Sequence, residues 1–233
     1  MTVLRAEGIS AGYDGPPVLD DVAVAAEPGQ TTVILGPNGA GKSTLAKAIA
    51  GLLRIRAGRV LLAGADVTGL APHKLVRRGL GYLPQLASVF DHMSVLENLE
   101  MGGYTLKGGL HRRIAQVLEL FPDLGTDNGK KAGALSGGQQ RMLALARLLM
   151  TEPVAAVLDE PTAGLSPLYA GRVWDQIDRV RETGVGLLVV EQNATLAMEH
   201  ADSVCLLAQG RNVLSGKAEE LRERAEVARI LVG

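Results

Sequence analysis

Three stretches of this chain carry residue types that could do chemistry together. The first is Gly36-Pro37-Asn38-Gly39-Ala40-Gly41-Lys42-Ser43-Thr44, which fits the spacing G-x-x-x-x-G-K-[ST]. Glycines so placed let consecutive backbone N–H groups curl around phosphate oxygens, and a helix that begins there adds the partial positive charge of its N-terminus. Lys42 can reach the β- and γ-phosphates of a nucleotide, the Ser43 hydroxyl can ligate Mg2+, and Thr44 can hydrogen-bond phosphate. A glycine-rich turn before any helix is the plain alternative. The surroundings favour the phosphate cradle, because the apolar run Thr31–Leu35 reads as a strand entering the loop and Lys42–Leu52 as a helix leaving it.

The second stretch is Val154-Ala155-Ala156-Val157-Leu158-Asp159-Glu160, an apolar strand that ends in two acids. By itself such an end is equally a pair of solvated carboxylates. Beside a phosphate loop, Asp159 is placed to hold Mg2+ directly or through water, and Glu160 to polarise an attacking water as general base. The third is Leu135-Ser136-Gly137-Gly138-Gln139 at the start of a helical pattern. It reads either as an ordinary helix N-cap at Ser136 or as a second anion cradle built from free N–H groups, a hydroxyl and the helix dipole.

The elements that must position these residues alternate. Thr31–Leu35, Arg59–Leu62, Val154–Leu158, Gly186–Val190 and Val204–Leu207 read as buried strands; Lys42–Leu52, Ser136–Met150, Pro167–Arg181, Ala194–His200 and Lys217–Leu231 read as helices. Apolar strands alternating with helices predict an α/β fold with a mostly parallel sheet covered on both faces. Val3–Ile9 and Val22–Ala26 instead suggest short antiparallel strands joined by the turn-rich Gly12–Pro17. From about Leu86 to Met150 the strand signal vanishes. Ser94–Met101, with a capping-box pattern in Ser94 and Glu97, and Leu110–Phe121 read as helices there. A single domain 1–233 is therefore expected, with a core of residues 1–85 and 151–233 and an inserted helical lobe at 86–150.

Composition narrows the classes. At 233 residues the chain can bury a sizeable core, and with 47% hydrophobic residues it is not disordered. A formal net charge of −1 and only short basic spots (Arg77-Arg78, His111-Arg112-Arg113, Lys130-Lys131) call for no nucleic acid; these spots read as solvated surface. The single Cys205 sits in an apolar run and reads as an inert buried thiol, and the four histidines have no metal-ligand spacing. The N-terminus has no signal-peptide pattern, and no apolar run approaches the ~18 residues that cross a bilayer. A soluble chain that meets a membrane only through partners is expected.

Taken in order, the phosphate loop, Gln85, Leu135–Gln139 and Val154–Glu160 resemble the ABC ATPase family over nearly the whole chain. The resemblance implies a P-loop NTPase core with an N-terminal antiparallel β subdomain and a helical lobe. It implies ATP hydrolysis with Mg2+ by a dimer of ATPase subunits, homo- or heteromeric, in which Ser136, Gly137 and Gly138, with Gln139 behind them, close on the partner's ATP. Tyr13 falls where an aromatic stacks on adenine. Gln85 matches the glutamine that senses Mg2+ and links the core to the lobe. Two positions depart from the pattern. Ser166 stands where many relatives have aspartate. Gln192 stands where a histidine usually contacts the γ-phosphate, and an amide can donate a hydrogen bond but cannot carry a proton. Either Gln192 works as a polar sensor or the site hydrolyses slowly.

Val190-Glu191-Gln192-Asn193-Ala194, Arg141-Met142-Leu143 and Ser94-Val95-Leu96-Glu97-Asn98-Leu99 are similar to the ATP-binding subunits of branched-chain amino acid importers. Related importers of urea, amides or other amino acids, and exporter or lipid-extraction systems, are the alternatives. The implied partners are a second ABC ATPase subunit, two transmembrane permeases and an extracytoplasmic substrate-binding protein. The implied place is the cytoplasmic face of the plasma membrane, with Leu86–Met101 forming the groove for a permease's cytoplasmic helix.

Overall fold

The computed structural model describes residues 2–86, 89–126 and 128–222. In chain order, β1 (Leu4–Ala11) and β2 (Leu19–Ala26) are followed by β3 (Thr31–Leu35), α1 (Lys42–Ile49), β4 (Ile55–Leu62), β5 (Ala65–Asp66), α2 (Pro72–Arg77) and β6 (Leu80–Leu83). A helical stretch comes next: α3 (Val95–Gly102), α4 (Leu110–Leu120), α5 (Pro122–Thr126) and α6 (Gly137–Leu149). The chain then alternates again through β7 (Ala155–Asp159), α7 (Pro167–Glu182), β8 (Gly186–Val190), α8 (Ala194–His200), β9 (Ser203–Ala208), β10 (Arg211–Lys217) and α9 (Ala218–Leu221).

Among the described residues these strands make two sheets. One is antiparallel with order β2-β1-β4-β5, and the other has order β10-β9-β3-β8-β7-β6, parallel throughout except for β10. The central strands are buried and mostly apolar because both faces of the larger sheet are covered, and their side chains divide by the two-residue period of a strand. Val33, Leu35, Ala156, Leu158, Leu187, Val189, Val204 and Leu206 face the core shared with α6, α7 and α8. Ile34, Ala155, Val157, Leu188, Val190, Cys205 and Leu207 face a second core shared with α1 and the antiparallel sheet. Each such Leu, Ile or Val, fully buried, is worth about 1.5–3 kcal/mol. A one-residue slip of any strand would exchange the two sets.

The helices end where the sequence supplies a terminator. Ser94 caps α3 with a complete capping box: the Glu97 N–H donates to its Oγ (3.1 Å), and its own N–H donates to Glu97 Oε2 (2.6 Å). Trp174 of α7, fully buried, stacks on His200 of α8 with centroids 5.0 Å apart, and His200 Nδ1 lies 2.6 Å from Asp178. Cys205 is buried, which pushes its thiol up to about 11, as expected of an inert side chain.

Several boundaries differ from expectation. Helix α1 stops at Ile49 rather than Leu52, since Gly51 takes φ +71 and the Leu52 N–H turns back to Lys47 O. Lys217 ends a strand instead of starting a helix. Arg211–Lys217 alternates exposed and half-buried residues on an edge, so no apolar run announces β10, and the turn through Gln209 and Gly210, both at positive φ, folds it onto β9. The remainder of the expected Lys217–Leu231 helix beyond residue 222 lies outside the described residues. Arg113 is not solvated surface: it is half-buried, and its Nη2 donates to Leu149 O.

Candidate active site

The site forms where the C-terminal ends of β3, β7 and β8 meet. The loop 36–41 turns between β3 and α1 only because its glycines allow it: Gly36, Gly39 and Gly41 have φ of +153, +80 and +101. At Gly36 there is also no room for more, because a Cβ would lie 2.1 Å from the carbonyl oxygen of Leu207 in β9. Gly41 precedes α1 in a left-handed conformation with no side-chain cap, so the first N–H groups of the helix keep no side-chain acceptor and point into the loop.

Lys42 is buried, and its Nζ curls back to donate to the carbonyls of Gly36 (2.7 Å) and Pro37 (3.1 Å). Burial lowers its pKa, while Glu160, Asp159 and Glu191 push it back up. The Ser43 hydroxyl donates to Asp159 Oδ1 at 2.9 Å, and the Tyr82 hydroxyl lies 3.5 Å from Oδ2. Burial raises the Asp159 pKa; the Ser43 and Tyr82 hydrogen bonds oppose it, and the neighbouring Glu160 adds to it. Thr44 is buried in the first turn of α1.

Glu160 follows β7 with φ +49, a left-handed conformation that a non-glycine residue adopts at a cost of order 1–3 kcal/mol. Its N–H is held by Val190 O at 2.9 Å. Both carboxylate oxygens accept an amide N–H: Gln85 Nε2 donates to Oε2 at 2.6 Å and Gln192 Nε2 to Oε1 at 2.7 Å. A carboxylate can only accept, which fixes the orientation of both amides. An open cavity of about 230 Å3 runs over this floor, lined by Tyr13, Val18, Glu160 and residues 38–44. Tyr13 is exposed at its rim, its backbone carbonyl held by Arg56 Nη2 at 2.5 Å.

The structure thus brings Tyr13, the loop Gly36–Thr44, Gln85, Asp159, Glu160 and Gln192 together. A model of the ABC transporter family matches residues 19–163. This chain belongs to the ABC transporter family, as an ATPase subunit.

Its relatives agree over the whole length. It is 40% identical to a probable branched-chain amino acid transport ATP-binding protein, LivF, of Archaeoglobus fulgidus, across 99% of both chains. It is 35% identical to the high-affinity branched-chain amino acid transport ATP-binding protein BraG of Pseudomonas aeruginosa, across 99% of this chain and 100% of that one. Among solved structures, the ADP conformation of an ATP-binding cassette of an ABC transporter superposes with a TM-score of 0.89 at 29% identity, covering 100% of this chain and 99% of that one. A nucleotide-free cassette superposes with a TM-score of 0.88 at 28% identity, covering 100% of both.

Ser136–Gln139 stand apart from the ABC ATPase's own phosphate loop and line none of its cavity. They form a capping box at the start of α6: Ser136 Oγ accepts from Gln139 N–H (3.3 Å), and Gln139 Oε1 accepts from Ser136 N–H (3.0 Å). Ser136 and Gly137 are exposed, while Gly138 lies under the Tyr169 ring, where a Cβ would come within 2.6 Å of Cδ1. Ser166 caps α7 by backbone alone, with Pro167 behind it.

Two site residues escaped sequence reasoning. Tyr82 reaches Asp159 from β6, a strand too short and too interrupted by Gly81 to be read as one. Glu191 is buried and accepts from Thr162 Oγ1 (2.6 Å), Thr162 N–H (3.1 Å) and Gln192 N–H (3.1 Å), so it fixes the backbone that carries Gln192. A signal for Glu191 existed. Both Val157-Leu158-Asp159-Glu160 and Val189-Val190-Glu191 end an apolar strand in acid, and the register Asp159↔Val190 sets Glu160 beside Glu191.

Proposed function

We propose that this ABC ATPase powers a branched-chain amino acid importer as one half of a dimer of ATPase subunits. Its partners in this reading are two transmembrane permeases and an extracytoplasmic substrate-binding protein. It sits peripherally at the cytoplasmic face of the membrane; no helix among the described residues is long and apolar enough to cross it. The hydrolytic part rests on one observation: Lys42, the Ser43–Asp159 pair and a doubly held Glu160 all converge on one cavity. The choice of cargo rests on the 40% full-length identity to LivF, against 31% to lipopolysaccharide export ATP-binding proteins.

In this reading the loop N–H groups and the Lys42 ammonium hold the β- and γ-phosphates of ATP. The Ser43 hydroxyl and Asp159 carboxylate already touch and present hard oxygens, as one or two carboxylates plus phosphate oxygens suit Mg2+. Gln85 adds its amide carbonyl. Held by Ser43, Asp159 and Gln85, Mg2+ would supply positive charge to neutralise the phosphate oxygens. Glu160 takes the proton of the attacking water. Since both its oxygens now accept amide N–H groups, the water enters by replacing one of them, and Gln192 then keeps its grip on the other oxygen. Tyr13 stacks on the base at the rim. The N-terminus of α6 at Ser136–Gly138, exposed at Ser136 and Gly137 and with Gln139 holding the cap, completes the partner subunit's site, which makes each cavity half of an active site.

An apolar groove lies between β6 and the helices α3 and α6, with Phe90, Met101 and Tyr104 exposed along it. It takes the permease's cytoplasmic helix. The test is reconstitution in liposomes with the permease pair and binding protein. ATP-driven uptake of radiolabelled leucine that is lost without this chain is the expected result. Assembly and ATP turnover without leucine, isoleucine or valine uptake would remove the cargo and keep the ATPase.

A further inference from the structure

Arg147 of α6 carries a cation that meets no anion among the described residues. Its Nη1 is shut off from solvent and has no hydrogen-bond acceptor among the described residues. Its guanidinium carbon lies 4.6 Å from the centre of the Phe90 ring. Helix α3 passes close above it, since a Cβ on Gly102 would lie 2.7 Å from Arg147 Cγ. Burial lowers its pKa, and no carboxylate among the described residues offsets that burial. Lys42, whose pKa burial also lowers, is by contrast faced by three carboxylates.

Arg147 lines the groove itself, a cavity of about 300 Å3 bounded also by Leu83, Pro84, Phe90, Met101 and Tyr104. The rim is anchored rather than loose. Asn98, fully buried, accepts from the Phe90 N–H at 2.8 Å and donates to its carbonyl at 3.0 Å. A second cavity of about 800 Å3 adjoins through Val76, Tyr104 and Thr151. Its charged lining is Arg77, Arg78, Lys107 and Glu152, and Glu152 already faces Arg113 Nε at 4.0 Å. Cations therefore outnumber anions along the whole trough. A buried charge is strongly destabilising when unpaired and becomes an asset when a partner brings the counter-charge with good hydrogen bonds. Phe90 supplies a π-face, which is weaker compensation than a carboxylate.

We propose that the permease segment seated in this groove lays an apolar face on Leu83, Phe90 and Met101 and delivers an aspartate or glutamate carboxylate to Arg147, its acidic end toward Arg77, Arg78 and Lys107. The inference rests on the transporter reading above. The carboxylate forms the charge-assisted pair that Arg147 lacks among the described residues, so docking is selected by charge as well as by apolar fit.

The test titrates the full chain onto the detergent-solubilised permease pair and measures ATP affinity in parallel. Arg147→Met, which keeps the apolar stem over Phe90, should weaken assembly about tenfold or more with ATP affinity unchanged. Arg147→Glu should regain assembly when the matching permease acid is changed to arginine. Arg147→Met assembling within about twofold of the parent would overturn the pairing and leave the transporter reading intact. A parent chain that does not bind the permeases at all would overturn both. Binding of the parent, but not of Arg147→Met, to phosphatidylglycerol vesicles without permease would assign the site to a lipid phosphate and overturn the proposal. If the Arg147 variants fail to melt cooperatively, the exposed pair Arg77→Glu and Arg78→Glu carries the test: assembly should fall about tenfold, and unchanged assembly overturns the proposal.

Discussion

Replacing Lys42 by methionine keeps the buried stem and removes the ammonium. In the free protein that ammonium already sits in a desolvated place, held by the carbonyls of Gly36 and Pro37 and balanced by three carboxylates. Its burial is therefore borne before ATP arrives, and its interaction with the nucleotide is mostly gain. A unit charge about 4 Å from a phosphate oxygen, at an effective dielectric near 20, is worth about 4 kcal/mol, and a hydrogen bond to a charged group about 1.5–3 kcal/mol. These describe the same contact and do not add, so the loss should be about 3–4 kcal/mol, or between two and three powers of ten in Kd. Isothermal titration with ATP and Mg2+ at about 0.15 M salt, where surface charge is screened within ~8 Å, measures it. The variant should melt cooperatively, because the lost charge was itself costly to bury. A Kd within about threefold of the parent, in a folded variant, would refute the placement of Lys42 on the phosphates.

Three further outcomes follow from the same geometry. Glu160→Gln keeps the shape of the doubly held side chain but cannot take a proton, so ATP affinity should stay within about threefold while turnover falls about a hundredfold or more and a closed dimer accumulates on sizing; normal turnover removes Glu160 as base. Gln192→Ala deletes the 2.7 Å hydrogen bond to Glu160 Oε1 and should slow the assembled transporter about tenfold, with Gln192→His restoring part of the rate; an unchanged rate makes Gln192 a bystander. Burial raises the Glu191 pKa above its unfolded value, so its contribution to stability is full below the ordinary carboxylate range and is lost as pH rises through the raised pKa. The Tm of Glu191→Gln minus that of the parent should therefore increase from about pH 5 to about pH 8, and a difference independent of pH would show that Glu191 is not desolvated as described.

The chemistry in this chain was largely legible because much of it is local. The phosphate loop needs glycines, a lysine and a hydroxyl at fixed spacing on one turn of chain, and the strand before it and helix after it are strongly patterned. The same holds for the apolar strand that delivers Asp159 and Glu160, and for the capping boxes at Ser94 and Ser136, where four consecutive residues contain the whole interaction. Strands with little apolar patterning were not legible. β10 is polar on alternate residues, and β6 is four residues with a glycine inside, so both exist only because a neighbour supplies a hydrogen-bonding edge.

Sequence alone determined the fold class, the family and the types of residue at the site, since those depend on periodicity and short-range spacing. Tertiary structure decided which groups meet. That Gln85 and Gln192 hold opposite oxygens of Glu160, 75 and 32 residues away in the chain, follows from strands β7 and β8 lying in register and from β6 packing beside them. That Arg113 turns inward and that Arg147 faces a groove with no counter-charge among the described residues is likewise invisible in the sequence. Each is a cation on a helix, and only the packing of neighbouring helices decides whether its head reaches water, a carbonyl or an aromatic ring.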